Sequence, residues 1–166
     1  MKVRNEMCNL YNYKLECIWT FPFDEGEDNE LILDPKCIYF EIGNKFLEIC
    51  DIFGEGKLKI TIRNKIIYET DMDIAYKVDI RNYILNYPET DYYIEEIGGI
   101  NFKEDINGLI CDALELNVYT ENYGKQNLFI HSGINGLRIG GIDKKINWIQ
   151  NWYVPIYGEK IEERWF

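Results

Sequence analysis

The residue types of a cation-binding loop stand together in the segment FPFDEGEDNELILDP, at 21–35. Five carboxylates crowd positions 24–30 of this stretch: Asp24, Glu25, Glu27, Asp28 and Glu30. A calcium-binding EF-hand loop requires acids at alternating positions, a glycine at the sixth position and a glutamate at the twelfth. Counted from Asp24, the sixth position holds Asn29 and the twelfth holds Pro35. The segment therefore departs from the EF-hand pattern, and we assign no metal to it, with a looser divalent-cation site as the alternative.

Zinc binding and nucleophilic catalysis find little support in the rest of the chain. There is one histidine, His131, and the five cysteines show no CxxC spacing of the kind that holds zinc. Ser132 follows His131 directly, but neighbouring residues of a strand point to opposite faces, which separates the hydroxyl from the imidazole. A Cys–His pair brought together from distant strands stays open. We expect no catalytic residues and no cofactor, and hence a protein that is not an enzyme.

The glycine-rich segment GINGLRIGG, at 133–141, has the composition of a phosphate-binding loop but not its order. A P-loop reads GxxxxGK[ST] and opens a helix. Here Lys144 and Lys145 come only after the last glycine. We therefore predict a glycine-rich turn between strands rather than a nucleotide site.

Acidic residues recur beside tyrosines, a combination typical of surfaces that bind basic proteins. The segments YETDMDIAY and YPETDYYIEEIGG repeat it after the first acidic run. Carboxylates raise the rate of encounter with a cationic partner, and exposed tyrosines supply apolar contact at a low entropic cost. The predicted partner-binding residues are Asp24, Glu25, Glu27, Asp28, Glu30, Asp91, Tyr92, Tyr93 and Glu95. The alternative is that these charges are only solvated and the tyrosines belong to the core.

The formal net charge of −11 argues against two classes of partner. Nucleic acids and anionic membranes are bound through clusters of Lys and Arg. A basic protein fits this charge instead. Small acidic proteins without catalytic motifs include the immunity proteins of bacterial toxins, and we predict this function, with a nuclease-type toxin domain as the partner. A phage-encoded inhibitor of a bacterial defence protein has the same profile and is kept as an alternative.

Aromatic residues crowd the segment INWIQNWYVPIYGEKIEERWF, at 146–166. They are Trp148, Trp152, Tyr153, Tyr157 and Trp165. Such a crowd can line a pocket for a small ligand or substrate, which gives a second functional hypothesis, although it more commonly packs a terminal segment onto a sheet. A third hypothesis is an assembly subunit that pairs through an exposed strand edge. The choice between monomer and homodimer stays open.

The five cysteines predict reduced thiols rather than a disulfide framework. Their number is odd, and most stand in apolar runs such as LECIWTF and LEICDIF. The first residues, MKVRNEMCNLYNYK, contain no apolar core of a signal peptide. We therefore expect a cytoplasmic protein.

The elements that must position these residues are mostly strands. Apolar residues occupy the odd positions from Tyr11 to Phe23, which predicts a strand with one buried face. Gly43–Asn44 predicts a hairpin loop between two apolar strands, and Leu58, Ile60 and Ile62 alternate with polar residues.

Helical spacing appears in two places. The first is 79–88, where Asp79 would cap the helix and Pro88 would stop it; the second is 143–153, with Pro155 as its breaker. The strands lie too close together for repeated βαβ crossovers. We predict an α+β, mainly β fold, in which an antiparallel sheet carries one or two short helices within a single domain over 1–166.

Overall fold

The computed structural model consists of two antiparallel sheets and a helical segment that packs on one of them. It describes residues 2–20, 24–25, 31–32, 37–52, 54–66, 78–134, 136–158 and 160–166. The predicted mainly β, antiparallel architecture is confirmed, with two sheets where the sequence predicted one.

Short connections join most of the described strands. The strands are β1 (Leu15–Thr20), β2 (Asp24–Glu25), β3 (Leu31–Ile32), β4 (Cys37–Ile42), β5 (Lys45–Ile52), β6 (Lys57–Arg63), β7 (Val78–Asp79), β8 (Tyr93–Ile100), β9 (Lys103–Asp105), β10 (Gly108–Cys111), β11 (Ala113–Thr120), β12 (Gly124–Gly133), β13 (Gly136–Gly140) and β14 (Glu163–Trp165). The helices are α1 (Lys2–Cys8), α2 (Arg81–Ile84), α3 (Ile142–Trp148) and α4 (Val154–Tyr157), and a π-helix (Ile149–Tyr153) joins α3 to α4.

The main core lies between the two sheets. The first sheet has the order β7–β1–β4–β5–β6–β10–β9, and the second has the order β14–β8–β11–β12–β13–β3–β2. The core side chains include Ile18, Phe40, Leu47 and Ile49 of the first sheet and Leu114, Leu116, Leu128 and Ile130 of the second. Burial of each such side chain stabilises the fold by roughly 2 kcal/mol. A β-bridge between Lys14 and Tyr93 joins the sheets at one corner.

The predicted hairpin at Gly43–Asn44 is confirmed. It joins β4 to β5, and Gly43 has a φ of 58°, a conformation that glycine adopts without steric cost. In β6, the predicted alternation holds for Leu58 and Ile60, which are fully buried.

The strand predicted from Tyr11 to Phe23 begins only at Leu15, Tyr13 before it is 53% exposed, and Phe21 and Phe23 lie outside the described residues. The predicted phase is wrong beyond Leu15. A bulge at Glu16 shifts the register of β1 against β4 between Leu15 and Cys17. An extra residue in one strand moves every later side chain to the other face. Ile18 and Thr20 are therefore buried in place of Cys17 and Trp19, which are half-buried.

Both predicted helices differ from the structure. The first is a single turn, α2. Asp79 lies in β7, before this turn, and its Oδ1 accepts a hydrogen bond from the backbone N–H of Arg81. The second is longer than predicted, because Pro155 does not end it. The π-helix widens the backbone just before this proline, and Pro155 then stands in the first turn of α4, where its missing N–H is not needed.

A second apolar cluster lies between the helical segment and the outer face of the second sheet. It comprises Ile100, Ala113, Phe129, Trp148 and Tyr153. Trp148 and Tyr153 are buried against the sheet, whereas Ile146 of the same segment is 47% exposed. The molecule thus has three layers: sheet, sheet and helix.

The seam between β10 and β11, which belong to different sheets, is held by a polar cluster. Asp112 stands in this connection and pairs with Lys57 Nζ. The other carboxylate oxygen of Asp112 accepts a hydrogen bond from Asn101 Nδ2 at 2.8 Å. The same Nδ2 also donates to the hydroxyl of Tyr153. The cluster ties strands of both sheets to the helical segment.

The expectation that all five cysteines are reduced is wrong for two of them. Cys37 and Cys50 are directly opposite in β4 and β5 and form a disulfide bond. Cys8, Cys17 and Cys111 are free. A search for CxxC spacing does not find this pair, because the two cysteines are brought together by the register of β4 and β5. Among the described residues, no helix is both long and apolar enough to cross a membrane.

Candidate functional site

The outer face of the second sheet carries polar and aromatic side chains beside the helical segment. Strand register places Tyr93 and Glu96 of β8 next to Tyr119 and Asn117 of β11. A bulge in β8 leaves Glu95 as the extra residue between these pairs. We call the following set the acidic–aromatic face: Tyr93, Glu96, Glu115, Asn117, Tyr119, Asn127, Glu163 and Trp165.

A chain of hydrogen bonds crosses this face. Asn117 Nδ2 donates to Glu96 Oε2 at 3.1 Å. Asn127 Nδ2 donates to Asn117 Oδ1 at 2.8 Å and to Glu115 Oε2 at 3.1 Å. These bonds link amides and carboxylates of three neighbouring strands, so the face is preorganised rather than formed by independent side chains.

Among the residues joined by these hydrogen bonds, Glu115 is the one that is fully buried, at 1% exposure. Lys145 of α3 approaches it from above, with Nζ 2.7 Å from Glu115 Oε1 and 3.1 Å from Glu163 Oε1. Burial lowers the pKa of Lys145, but hydrogen bonds and charges from the two glutamates outweigh it, and the pKa lies above its usual value. Lys145 therefore stays charged and neutralises the buried carboxylate.

We expect the free energy of unfolding to fall as the pH rises from about 9 to about 11. The pKa of Lys145 is raised, and burial raises the pKa values of Tyr153 and, to about 11, of Cys17. The native state thus binds more protons than the unfolded chain in this range, and stability is lost as the pH passes through it. Urea unfolding at several pH values measures the effect, and a midpoint that stays constant up to pH 11 would contradict it.

Aromatic rings border the polar chain on two sides. Tyr93 and Tyr119 stack with their ring centroids 5.5 Å apart. Trp165 lies over Gly98, where a Cβ atom would come within 2.4 Å of the indole. Lys145 Nζ is 6.0 Å from the Trp165 ring centroid, within the range of a cation–π contact. Trp165 remains 39% exposed and offers one surface of its ring to solvent.

The structure places the predicted partner-binding residues unevenly. Glu27, Asp28 and Glu30 lie outside the described residues, and Asp24 and Glu25 are described as the backbone of β2. Tyr92 is 2% exposed, so the expectation that it offers its ring to a partner is wrong. Its hydroxyl accepts the backbone N–H of Tyr87 at 3.2 Å within the fold.

Three predicted residues lie on or beside the acidic–aromatic face. Tyr93 belongs to it. Asp91 is exposed and pairs with Lys14 at 3.0 Å, and Glu95 pairs with Lys125. Exposed pairs of this kind contribute little stability, about 0–1 kcal/mol.

Of the three acidic runs identified in the sequence, YETDMDIAY at 68–76 lies outside the described residues, and the other two lie far apart in the second sheet. In the second sheet, β2 is separated from β8 by five strand steps, which corresponds to about 24 Å. The strand order therefore argues against a single patch formed by Asp24, Glu25, Asp91 and Glu95.

Sequence reasoning missed Glu115, Asn117, Asn127, Glu163 and Lys145. The signal was present in ALELNVYT, at 113–120, where polar or aromatic residues alternate with Leu114, Leu116 and Val118. This alternation predicts a polar face opposite a buried one. Neither the partner strands nor the lysine that reaches over the face follow from it, because they come from distant parts of the chain.

The C-terminal aromatic residues lie in three different environments. Trp148 and Tyr153 are buried between the helical segment and the second sheet, and Tyr157 packs on Tyr153 with ring centroids 5.1 Å apart. Trp165 lies on the acidic–aromatic face. Trp152 lines a cleft of about 140 Å³ on the opposite side of the helical segment, together with Trp148.

One grouping of potential metal ligands occurs among the described residues, at Cys37, Glu48 and Cys50. The two sulfur atoms are bonded to each other, and Glu48 accepts Thr61 Oγ1 and pairs with Arg63, both at 2.7 Å. In this state neither sulfur is a thiolate, the form that binds metals.

Comparison of the chain with protein-family models, with curated proteins and with solved structures finds no match.

Proposed function

We propose that the protein is a non-enzymatic binding protein that neutralises a basic protein partner by direct contact, in the manner of an immunity protein against a nuclease-type bacterial toxin. The observation that carries this proposal is the acidic–aromatic face. Carboxylates of Glu96 and Glu163 border the rings of Tyr93, Tyr119 and Trp165 on one face of the second sheet. Nuclease domains present Lys and Arg to nucleic acid, and such side chains would meet both features.

Charge supports the approach of such a partner. The net charge of −11 attracts a cationic protein over roughly a Debye length, about 8–10 Å at physiological salt. Asp91 and Glu95 lie at the end of the face, and their weak ion pairs with Lys14 and Lys125 can be exchanged for pairs with the partner. The buried Glu115 contributes little to this field because Lys145 neutralises it.

The aromatic side chains supply the contact energy. Trp and Tyr dominate the energetically important residues of interfaces, because they bury a large area and lose few rotatable bonds. Trp165 is held in place by Gly98 and Lys145, so its ring is already oriented before a partner arrives.

The test begins with capture of the partner from a lysate of the source cells at low salt, followed by elution with increasing salt. Association kinetics are then compared for two triple variants with the same net charge. The face variant is Asp91→Asn, Glu95→Gln and Glu96→Gln; the control variant is Glu55→Gln, Glu104→Gln and Asp143→Asn, away from the face.

We expect the face variant to lower the association rate constant about tenfold and to flatten its salt dependence, while the control variant changes it by less than about threefold. Equal effects of the two variants would mean that only net charge matters. An unchanged rate constant in the face variant, or capture of no basic protein, would overturn the proposal.

A further inference from the structure

The cleft beside Trp152 is distinct from the acidic–aromatic face, because the helical segment separates them. Lys145 points to the face, whereas Lys144 lines the cleft. The cleft residues of the helical segment are Lys144, Asn147, Trp148, Asn151 and Trp152, whose spacing is that of one helix side. Its other wall is formed by the end of β12 and by β13, including His131 and Arg138.

Two glycines make room for the two cations of the cleft. A Cβ atom at Gly133 would lie 2.6 Å from Arg138 Nε, and one at Gly140 would lie 2.5 Å from Lys144 Cγ. The guanidinium and the lysine stem therefore rest on backbone where any larger residue would displace them. These glycines belong to the segment GINGLRIGG, whose composition resembled a phosphate loop without its order.

The remaining lining is suited to a planar group. Trp148 is nearly buried and Trp152 is 41% exposed, so the two indoles offer apolar surface at different depths. His131 packs on Trp148 with ring centroids 5.9 Å apart. Its Nδ1 lies 3.0 Å from the carbonyl oxygen of Ser132, and since a carbonyl only accepts, Nδ1 carries the proton and the ring is held in one orientation.

We propose that this cleft binds a small aromatic acid, that is, a single planar ring with one carboxylate. The volume of about 140 Å³ is close to that of a cavity that holds one benzene molecule, about 150 Å³. Arg138 and Lys144 would bind the carboxylate; a guanidinium has five N–H donors and can serve a ligand alongside its other contacts. The side-chain amides of Asn147 and Asn151 offer further donors, and none of the described residues that line the cleft carries a carboxylate.

Three probes of related shape test the two parts of the proposal. Benzoate has the ring and the charge, benzamide has the ring without the charge, and inorganic phosphate has the charge without the ring. The readout is the indole N–H region of a proton–nitrogen NMR spectrum of the full chain, which contains four tryptophans. Benzoate is expected to shift the Trp148 and Trp152 signals and to leave those of Trp19 and Trp165, which lie elsewhere, in place.

We expect benzoate to bind at least about tenfold more tightly than either other probe, because a charge-assisted contact and a stacked ring each contribute about that factor. Equal binding of benzamide would exclude the role of the cations, and equal binding of phosphate would exclude the role of the ring. Shifts confined to Trp19 or Trp165, or no shifts at about 10 mM benzoate, would likewise overturn the proposal.

Two variants separate the cation contacts from the fold. Lys144→Gln removes one charge, and Gly133→Ala keeps the charge but forces Arg138 to move, which a flexible side chain can do without disturbing the backbone. Both should weaken benzoate binding about tenfold. The matched controls are Lys125→Gln, whose lysine pairs with Glu95, and Gly141→Ala, where a Cβ meets nothing closer than 3.8 Å.

Benzoate affinity in the two control variants should stay within about twofold of the original protein. If Lys144→Gln and Gly133→Ala also retain full affinity, the assignment of the carboxylate to these cations is wrong. The outcome is independent of the proposed protein partner, since the benzoate titration contains no partner and neither Lys144→Gln nor Gly133→Ala changes the acidic–aromatic face.

Discussion

The variant Lys145→Met is expected to lower the free energy of unfolding by about 3–5 kcal/mol, a large part of the total stability of a domain of this size. Its carboxylate partner Glu115 is 1% exposed and, among the described residues, would keep the hydrogen bond from Asn127 Nδ2 at 3.1 Å but no cation. A buried carboxylate without a cation loses its hydration with nothing to replace it. Urea unfolding followed by circular dichroism measures the loss.

Two further variants serve as controls. Lys125→Met removes an exposed partner of Glu95 and should change stability by less than about 1 kcal/mol. The double variant Glu115→Leu with Lys145→Met removes both buried charges and should recover most of the loss. A double variant as unstable as Lys145→Met alone would contradict our account of the pair.

Opening the Cys37–Cys50 bond is expected to cost about 3 kcal/mol of unfolding free energy. The bond closes a loop with a sequence separation of 13 and joins two directly opposed residues of β4 and β5. In the chain-entropy view, the cost comes from the larger freedom of the unfolded chain once the link is removed. The double variant Cys37→Ser with Cys50→Ser should unfold at a lower urea concentration than the oxidised protein.

Thiol counting shows whether the bond is present in a given preparation. The denatured protein should react with an alkylating reagent at Cys8, Cys17 and Cys111, and at all five cysteines after reduction. The reduced protein and the double serine variant should then have similar stabilities. Five reactive thiols before reduction would contradict the disulfide and restore the prediction made from the sequence.

The parts of the fold that depend on local pattern were predictable. The β4–β5 hairpin follows from one glycine with positive φ between two apolar runs, and Leu58 and Ile60 follow from alternation. The bulge at Glu16 and the π-helix before Pro155 were not, because each inserts a residue out of phase with its neighbours. A period read from the sequence carries across such a residue unless partner strands are known.

The candidate site was predictable only in part for a related reason. Tyr93, Asp91 and Glu95 were identified because they are close together in the sequence. Glu115 and Lys145 come together only because α3 packs on the second sheet. Tyr92, the neighbour of Tyr93 in the sequence, points to the opposite side and is buried. Composition located acids and aromatic residues, whereas the pairing of strands decided which of them share a surface.

The strand order of the two sheets also has a kinetic consequence. In the first sheet, β4, β5 and β6 pair with their neighbours in sequence, whereas in the second sheet β14 pairs with β8 across about 60 residues and β3 pairs with β13 across about 100. Long loops cost more entropy to close, so we expect the β4–β6 meander to form early in folding and β14 to dock late. Amide hydrogens of β14 should accordingly exchange with solvent faster than those of β5. The strand that holds Trp165 would then open briefly from the docked state in which its ring is oriented, and a partner bound to that ring would be detected as slowed exchange in β14.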